Sequence, residues 1–236
     1  MGLHCVNCGS PVIALYIQYS PGNIRLTKCV KCKAVADEYI ECEMMILLID
    51  LILHKTKAYR HLFFNMPHLN KYELQGLVWK AASLFLLLDA CRQLVLDPSK
   101  MHSELSRSPA SLMVAIGKLM CSIVLSNVVF FSTLLLATMS FRNKQETSET
   151  RHTEICMAVL FSSYFKIFMT VMMVWEFPSS AVFIIDVFVL SSNAVAVNVV
   201  TNATTFESVG VSFIGHFAKF LIDYMNCNNE LLRMHL

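Results

Sequence analysis

The later part of the chain carries four stretches in which apolar residues run far enough to cross a bilayer: residues 76–96, 112–141, 155–177 and 181–200. The first is interrupted by Lys80, Asp89 and Arg92. Lys80 can snorkel to the interface, and Asp89 can meet Arg92 one helical turn on. Two shorter patterns differ in kind. Residues 44–53 are apolar except for Asp50, a helix of about 15 Å that cannot cross a hydrocarbon core of roughly 30 Å. Lys55, Lys57, Arg60 and His61 follow at once, then Leu62-Phe63-Phe64, and Pro67 limits further helix. This predicts an interfacial helix with a basic shoulder, the alternative being an ordinary core helix. Over residues 206–225, Phe213, Ile214, Phe217, Leu221 and Tyr224 share one helical face, and Ser212, His216, Lys219, Asp223 and Asn226 share another, which predicts a second surface-lying helix.

Ahead of these segments the periodicity changes. Residues 12–20 are rich in β-branched and aromatic side chains, Pro21-Gly22-Asn23 is turn chemistry, and residues 24–28 alternate apolar with polar, which predicts a β-hairpin. The opening residues lack the basic-then-apolar order of a cleaved signal, so the N-terminus is expected in the cytosol.

Composition sharpens the picture. Of 236 residues 56% are hydrophobic and 15% charged, with a mean hydropathy of +0.55. Soluble domains carry about a quarter charged residues, so lipid is the expected solvent for most of the chain. A net charge of +2 with no basic stripe interleaved with aromatics argues against nucleic acid. With the N-terminus inside and four spans, eight Lys/Arg of the head, Arg142, Lys144 and Arg151 of the middle loop, and Lys219 and Arg233 of the tail face the cytosol. Only Lys100 and Arg107 face away, so both termini are expected to be cytosolic. The sequon Asn202-Ala203-Thr204 then lies on the side that receives no glycan.

Nine cysteines are present, and Cys5-x-x-Cys8 and Cys29-x-x-Cys32 form two pairs with zinc-ribbon spacing. Four thiolates complete a tetrahedron and leave no position for substrate, so a structural Zn2+ that stabilises a head too small for its own core is expected. Paired disulfides or a redox Cys-x-x-Cys are the competing readings. His4 and Cys42 are lesser ligand candidates, and a RING-type ligase would need twice as many ligands. The expected fold is thus a membrane all-α helical bundle of about four transmembrane helices plus interfacial helices, with a small N-terminal β-hairpin zinc ribbon. Its parts are the ribbon at 1–43, a helical segment at 44–75, the transmembrane region at 76–200, and an amphipathic helix and tail at 201–236.

Ionisable residues within spans are costly and mark function or assembly. Depth along the helices predicts two pairs, Asp89 with Lys118 and Lys166 with Asp186, leaving Ser122, Ser126, Asn127, Asn193 and Asn198 to line an interior. There is no Gly-x-Ser-x-Gly, no His-Glu-x-x-His and no phosphate-cradling loop, so a catalytic role is not expected.

Cys5-Val6-Asn7-Cys8-Gly9, Cys29-Val30-Lys31-Cys32, Ala36-Asp37-Glu38-Tyr39-Ile40-Glu41, Asp50 and Ala58-Tyr59-Arg60-His61-Leu62-Phe63-Phe64-Asn65 together resemble the homology domain of the Arv family. The resemblance covers roughly the first 65 residues; beyond them it is architectural. Cys42-Glu43-Met44-Met45 departs from the family's pattern at the junction of ribbon and helix. The resemblance implies a non-catalytic endoplasmic reticulum membrane protein that maintains sterol distribution and influences sphingolipids and glycosylphosphatidylinositol-anchor synthesis. It implies the four cysteines as ligands, and Tyr59, Arg60, His61 and Asn65 as family positions. Membrane lipids, with sterol among them, are the expected partners, and Lys55, Lys57, Tyr59, Arg60 and His61 the candidates for headgroup contact. The alternative is a scaffold or accessory subunit for anchor-synthesis enzymes, with the ribbon as its docking surface.

Overall fold

The structure, a computed structural model, describes residues 2–66, 71–96, 109–141, 149–168, 170–171 and 180–234. Lys100, Arg107, Arg142, Lys144 and Trp175, on which the orientation and depth arguments drew, lie outside these residues. The chain is mostly helical, with one small antiparallel sheet near its N-terminus. It divides into two compact units. One comprises Met1–Gly76 with Val199–Asn202, and the other Leu77–Asn198 with Ala203–Leu236.

In the first unit, β1 (Tyr16–Ser20) and β2 (Asn23–Leu26) pair antiparallel with Tyr16 opposite Leu26 and Gln18 opposite Ile24. Gly22 turns the chain with a φ of 83°, a conformation open to glycine without steric cost. The hairpin is shorter than its alternating pattern, because residues 12–15 are taken up by longer-range bonds. Val12 N–H donates to Leu3 O, and Thr27 N–H donates to Leu15 O. Three helical pieces follow: α1 (Met44–Ile52), α2 (Thr56–Arg60) and a π-helical turn at His61–Asn65. Helix α1 buries only Leu47 and Leu51; Met45, Ile49 and Leu53 beside them are exposed at 62%, 51% and 61%. A helix this short with so wide an apolar surface outside its own unit fits a membrane boundary better than a core.

The second unit is a bundle of α3 (Lys71–Leu96, whose residues from Leu77 belong to it), α4 (Pro109–Phe141), α5 (Glu149–Ser162, continued by a 3₁₀ turn at Ser163–Ile167), α6 (Ser180–Thr201) and α7 (Thr205–Met234). Two helices are long and apolar enough to cross a membrane, Leu112–Phe141 and Ser180–Thr201, not four. In α3 the charges Lys80, Asp89 and Arg92 dilute the run. The helix α5 ends at Ser162, and the tighter 3₁₀ turn that follows buries Ser163, Phe165 and Lys166 inside the bundle.

The largest departure from the sequence pattern is α7. It is not a helix lying alone at a surface, because it packs lengthwise and antiparallel on α4. Asn226 Nδ2 donates to Ser122 Oγ at 2.9 Å, Ser126 Oγ donates to Asp223 Oδ1 at 2.7 Å, and Lys219 Nζ donates to Asn127 Oδ1 at 2.7 Å. Its polar stripe therefore points inward, while Phe213, Phe217, Phe220 and Tyr224 are all more than half exposed. This inverts the soluble amphipathic helix and is the arrangement expected where hydrocarbon surrounds the bundle. The helix begins with a reciprocal cap: Glu207 N–H donates to Thr204 Oγ1, and Thr204 N–H donates to Glu207 Oε2 at 2.9 Å. Thr204 of the sequon is thus an N-cap residue, and Asn202 before it turns the chain at a φ of 51°.

Closest approach of α4 and α7 occurs at Gly215. A Cβ there would lie 3.2 Å from Phe130 and 3.4 Å from Leu134 Cβ. Gly215→Leu should therefore destabilise the bundle by about 1–3 kcal/mol through overpacking. The check is thermal unfolding in detergent beside Gly210→Leu, where a Cβ meets nothing within 4 Å.

Candidate functional site

The two units each hold a cluster of chemically active side chains. In the head, Cys5, Cys8, Cys29 and Cys32 place their sulfurs within 4.8 Å of one another. Cys5 Sγ lies 3.7 Å from Cys32 Sγ, and Cys8 Sγ lies 3.7 Å from Cys29 Sγ. A tetrahedral zinc with Zn–S bonds of about 2.3 Å has sulfur–sulfur edges of about 3.8 Å, so the donor set fits the ion. Disulfides would need about 2.05 Å, and the four cysteines are free thiols.

The local sequence builds two matching knuckles. Cys5 N–H donates to Ser10 O and Gly9 N–H to Cys5 O; in the second knuckle Cys29 N–H donates to Ala34 O and Lys33 N–H to Cys29 O. Each reversal needs a left-handed residue after its second cysteine. Gly9 supplies one at φ 72° and Lys33 the other at φ 63°. Ser10, which sequence reasoning passed over, holds Oγ 2.9 Å from Cys8 Sγ and 3.3 Å from Cys29 Sγ. Its hydroxyl donation is the main reason the Cys29 thiol is drawn down to about 6 and the Cys8 thiol below its ordinary value. Burial acts oppositely on Cys5, whose thiol is pushed up to about 12. Metal binding must therefore displace a proton from Cys5, and affinity falls as pH falls. His4 and Cys42 stand outside the cluster: His4 packs on the Phe64 ring at 4.4 Å, and Cys42 Sγ reaches Glu38 O.

The segment after α1 turns back on this ribbon. Arg60 donates from one Nη to Val6 O and Asn7 O at 3.0 and 2.8 Å, the carbonyls between the first two cysteines. Asp37 is fully buried; its carboxylate accepts from Tyr39 N–H at 3.0 Å, His61 Nδ1 at 2.7 Å and Asn65 Nδ2 at 2.6 Å. Asn65 also exchanges two bonds with the His4 backbone. Tyr59 is buried completely and its hydroxyl donates to Leu51 O. Of the five residues expected at lipid headgroups, Tyr59, Arg60 and His61 are thus occupied inside the head. Lys55 and Lys57 are still half exposed while pairing with Asp50 and Glu38. Asp50 also accepts from Tyr39 Oη at 2.8 Å, and these bonds, that of Lys55 first, hold its carboxyl below the usual range.

In the bundle, charged residues converge from α3, α6, α7 and the 3₁₀ turn, but not in the expected pairs. Asp89, 3% exposed, accepts from Lys166 Nζ at 2.6 Å, from Lys219 Nζ and from Asn127 Nδ2 at 2.7 Å. Lys118, its expected partner, sits on an exposed position of α4. Asp186 pairs not with Lys166 but with Arg92 at 2.8 Å, which also reaches Asp223 at 3.5 Å. Matching depth alone misjudged these pairs, because rotation about each helix axis decides which side chains face inward. Lys219 and Asp223 entered through α7, which the sequence pattern set apart from the bundle. The interior also holds Asn193, fully buried, which accepts from Ser162 and Ser163 and donates to His216.

A sequence model of the Arv1-like family matches residues 4–197. Among known proteins the chain is 44% identical to Protein ARV 1 of Arabidopsis thaliana over 218 residues, 92% of this chain and 86% of that one. It is 45% identical to Protein ARV 2 of the same plant over 222 residues, 94% of each. Protein ARV1 of Saccharomyces cerevisiae matches at 47% over 70 residues, 29% of this chain and 22% of that one. The plant matches carry the likeness well past the first 65 residues. No solved structure matches the chain.

Purified full-length protein should hold one zinc per chain, and Cys29→Ser should lose it, as read by elemental analysis. Arg60→Gln should keep the stoichiometry but release zinc to a chelator roughly tenfold faster, since two knuckle carbonyls lose a charged donor worth about 1.5–3 kcal/mol. Equal release rates would show that Arg60 does not brace the knuckle.

Proposed function

The chain belongs to the Arv1-like family, and from that premise we propose that it is a non-catalytic factor of sterol and lipid homeostasis in the endoplasmic reticulum membrane. The observation that carries this reading is the extent of the likeness: head and helical region are matched together at 44–45% identity over 92–94% of the chain. The four sulfurs suit a structural zinc that holds the head. The apolar face of α1 with Lys55 and Lys57 suits attachment of that head to an anionic cytosolic surface. The bundle is read as membrane-embedded, with α3, α4, α5 and its continuation, and α6 as the four crossing segments. Effects on sphingolipids and on glycosylphosphatidylinositol-anchor synthesis follow from changed lipid supply.

A second reading, an accessory subunit that scaffolds anchor-synthesis enzymes, is favoured by the ribbon itself. Ile13, Ile17, Tyr19 and Val30 are 101%, 50%, 64% and 84% exposed, an apolar surface suited to a protein partner.

The position of α7 bears on orientation. A helix bonded to Ser122, Ser126 and Asn127 of α4 shares the depth of α4, which makes α7 a fifth helix in the bilayer. With the head cytosolic, the C-terminus then faces the lumen and not the cytosol.

Expressed in cells that lack their own Arv1-like protein, the intact chain should restore the distribution of free sterol between endoplasmic reticulum and plasma membrane, and Cys29→Ser should not. Failure of a correctly localised wild-type chain to restore it would sink the reading. A glycosylation acceptor placed after Leu236 should be modified in microsomes; an unmodified tag that stays protease-accessible in sealed vesicles would return the C-terminus to the cytosol.

A further inference from the structure

Asp89, Arg92, Lys219 and Asp223 surround a cavity of about 170 Å³ between α3, α4 and α7, wide enough at its centre for about one water-sized group. Two carboxylates there face one guanidinium and one ammonium, and each charge already has a partner of opposite sign within the bundle. An incoming phosphate or carboxylate would meet no uncompensated charge and would lose its hydration, so an ionic headgroup is disfavoured on charge and on size. The uncharged part of the lining is different. Ser126 and Asn127 bring a hydroxyl and an amide, and Gln93 brings an amide with no hydrogen-bond partner among the described residues. A group that fits must be small, neutral and able both to donate and to accept, which describes a hydroxyl.

The same helices offer a surface for the remainder of such a molecule. Val124, Leu125 and Val128 on α4, and Phe220, Leu221 and Tyr224 on α7, are 41–57% exposed or close to it, although the polar faces of both helices are buried. We infer that the cavity between α3, α4 and α7 binds the hydroxyl of a neutral lipid whose hydrocarbon body lies on the outer faces of α4 and α7. Asp223 and Gln93 are the side chains placed to receive and to direct that hydroxyl. This deepens the lipid-homeostasis reading and rests on it. Sterols, diacylglycerols and ceramides share the required chemistry.

The test uses full-length protein in phosphatidylcholine nanodiscs with photoreactive sterol, diacylglycerol, ceramide and phosphatidylcholine, and maps crosslinks by mass spectrometry. At least one hydroxyl lipid should label residues of α3, α4 or α7 saturably, and the best competitor among the three identifies the source. Methylating its hydroxyl should weaken competition roughly fivefold, the worth of one hydrogen bond. Gln93→Leu, which keeps the side chain's bulk, should do the same with unchanged thermal stability. Ser126→Ala is a second variant should that one fail to fold. Equal competition by the methyl ether, labelling mapped elsewhere, or labelling by phosphatidylcholine alone would overturn the assignment. So would the absence of saturable labelling, which would make the cavity a water site. Sterol restoration in cells by a chain that shows no such labelling would remove the cavity assignment and leave the homeostasis reading standing.

Discussion

A carboxylate removed from water must be met by donors, and two buried aspartates organise the two units of this protein through that requirement. Asp37 in the head collects a backbone N–H, an imidazole and an amide. Asp89 in the bundle collects two ammonium groups and an amide. In each case the donors arrive from segments far apart in the chain, so satisfying one acid fixes the mutual placement of several elements. Leaving either unpaired would cost several kcal/mol, a large share of the net stability of a small domain.

The head shows how a metal site and a hydrogen-bond network share the work of holding few residues together. Four sulfurs set the two knuckles, and the π-helical turn at His61–Asn65 closes over them with Asp37 between. That turn is what lets His61 and Asn65 reach the same carboxylate oxygen. Residues that look from sequence like a basic, membrane-seeking shoulder thus divide by role. Arg60 and His61 serve the fold, and Lys55 and Lys57 keep exposed charge beside the apolar face of α1.

In the bundle, the same chemistry turns a helix inside out. Helix α7 carries a polar stripe that water could satisfy at a surface, but α4 presents Ser122, Ser126 and Asn127 at matching intervals, and the two stripes satisfy each other. The aromatic stripe is then left on the outside, where hydrocarbon is its natural neighbour. Charges from α3, α6, α7 and the 3₁₀ turn meet behind that pairing.

Much of this was legible in the residues. The Cys-x-x-Cys spacing named the four ligands, the Pro-Gly turn named the hairpin, and the apolar runs at Leu112–Phe141 and Ser180–Thr201 named two membrane-length helices, because each is a local pattern whose physics is complete within a few turns of chain. Periodicity likewise divided α7 into its two faces correctly. Which face turns inward was beyond it, since an amphipathic pattern reads alike from either side until the surrounding medium and the facing helix are known. The ion pairs were beyond it for a related reason: partners such as Asp89 and Lys219 stand 130 residues apart, and their meeting depends on helix rotation and on every intervening turn. Sequence alone determined the ligands, the elements and their faces; tertiary structure decided the partners, because the pairing of buried charge is a property of the whole packed assembly and of no single segment.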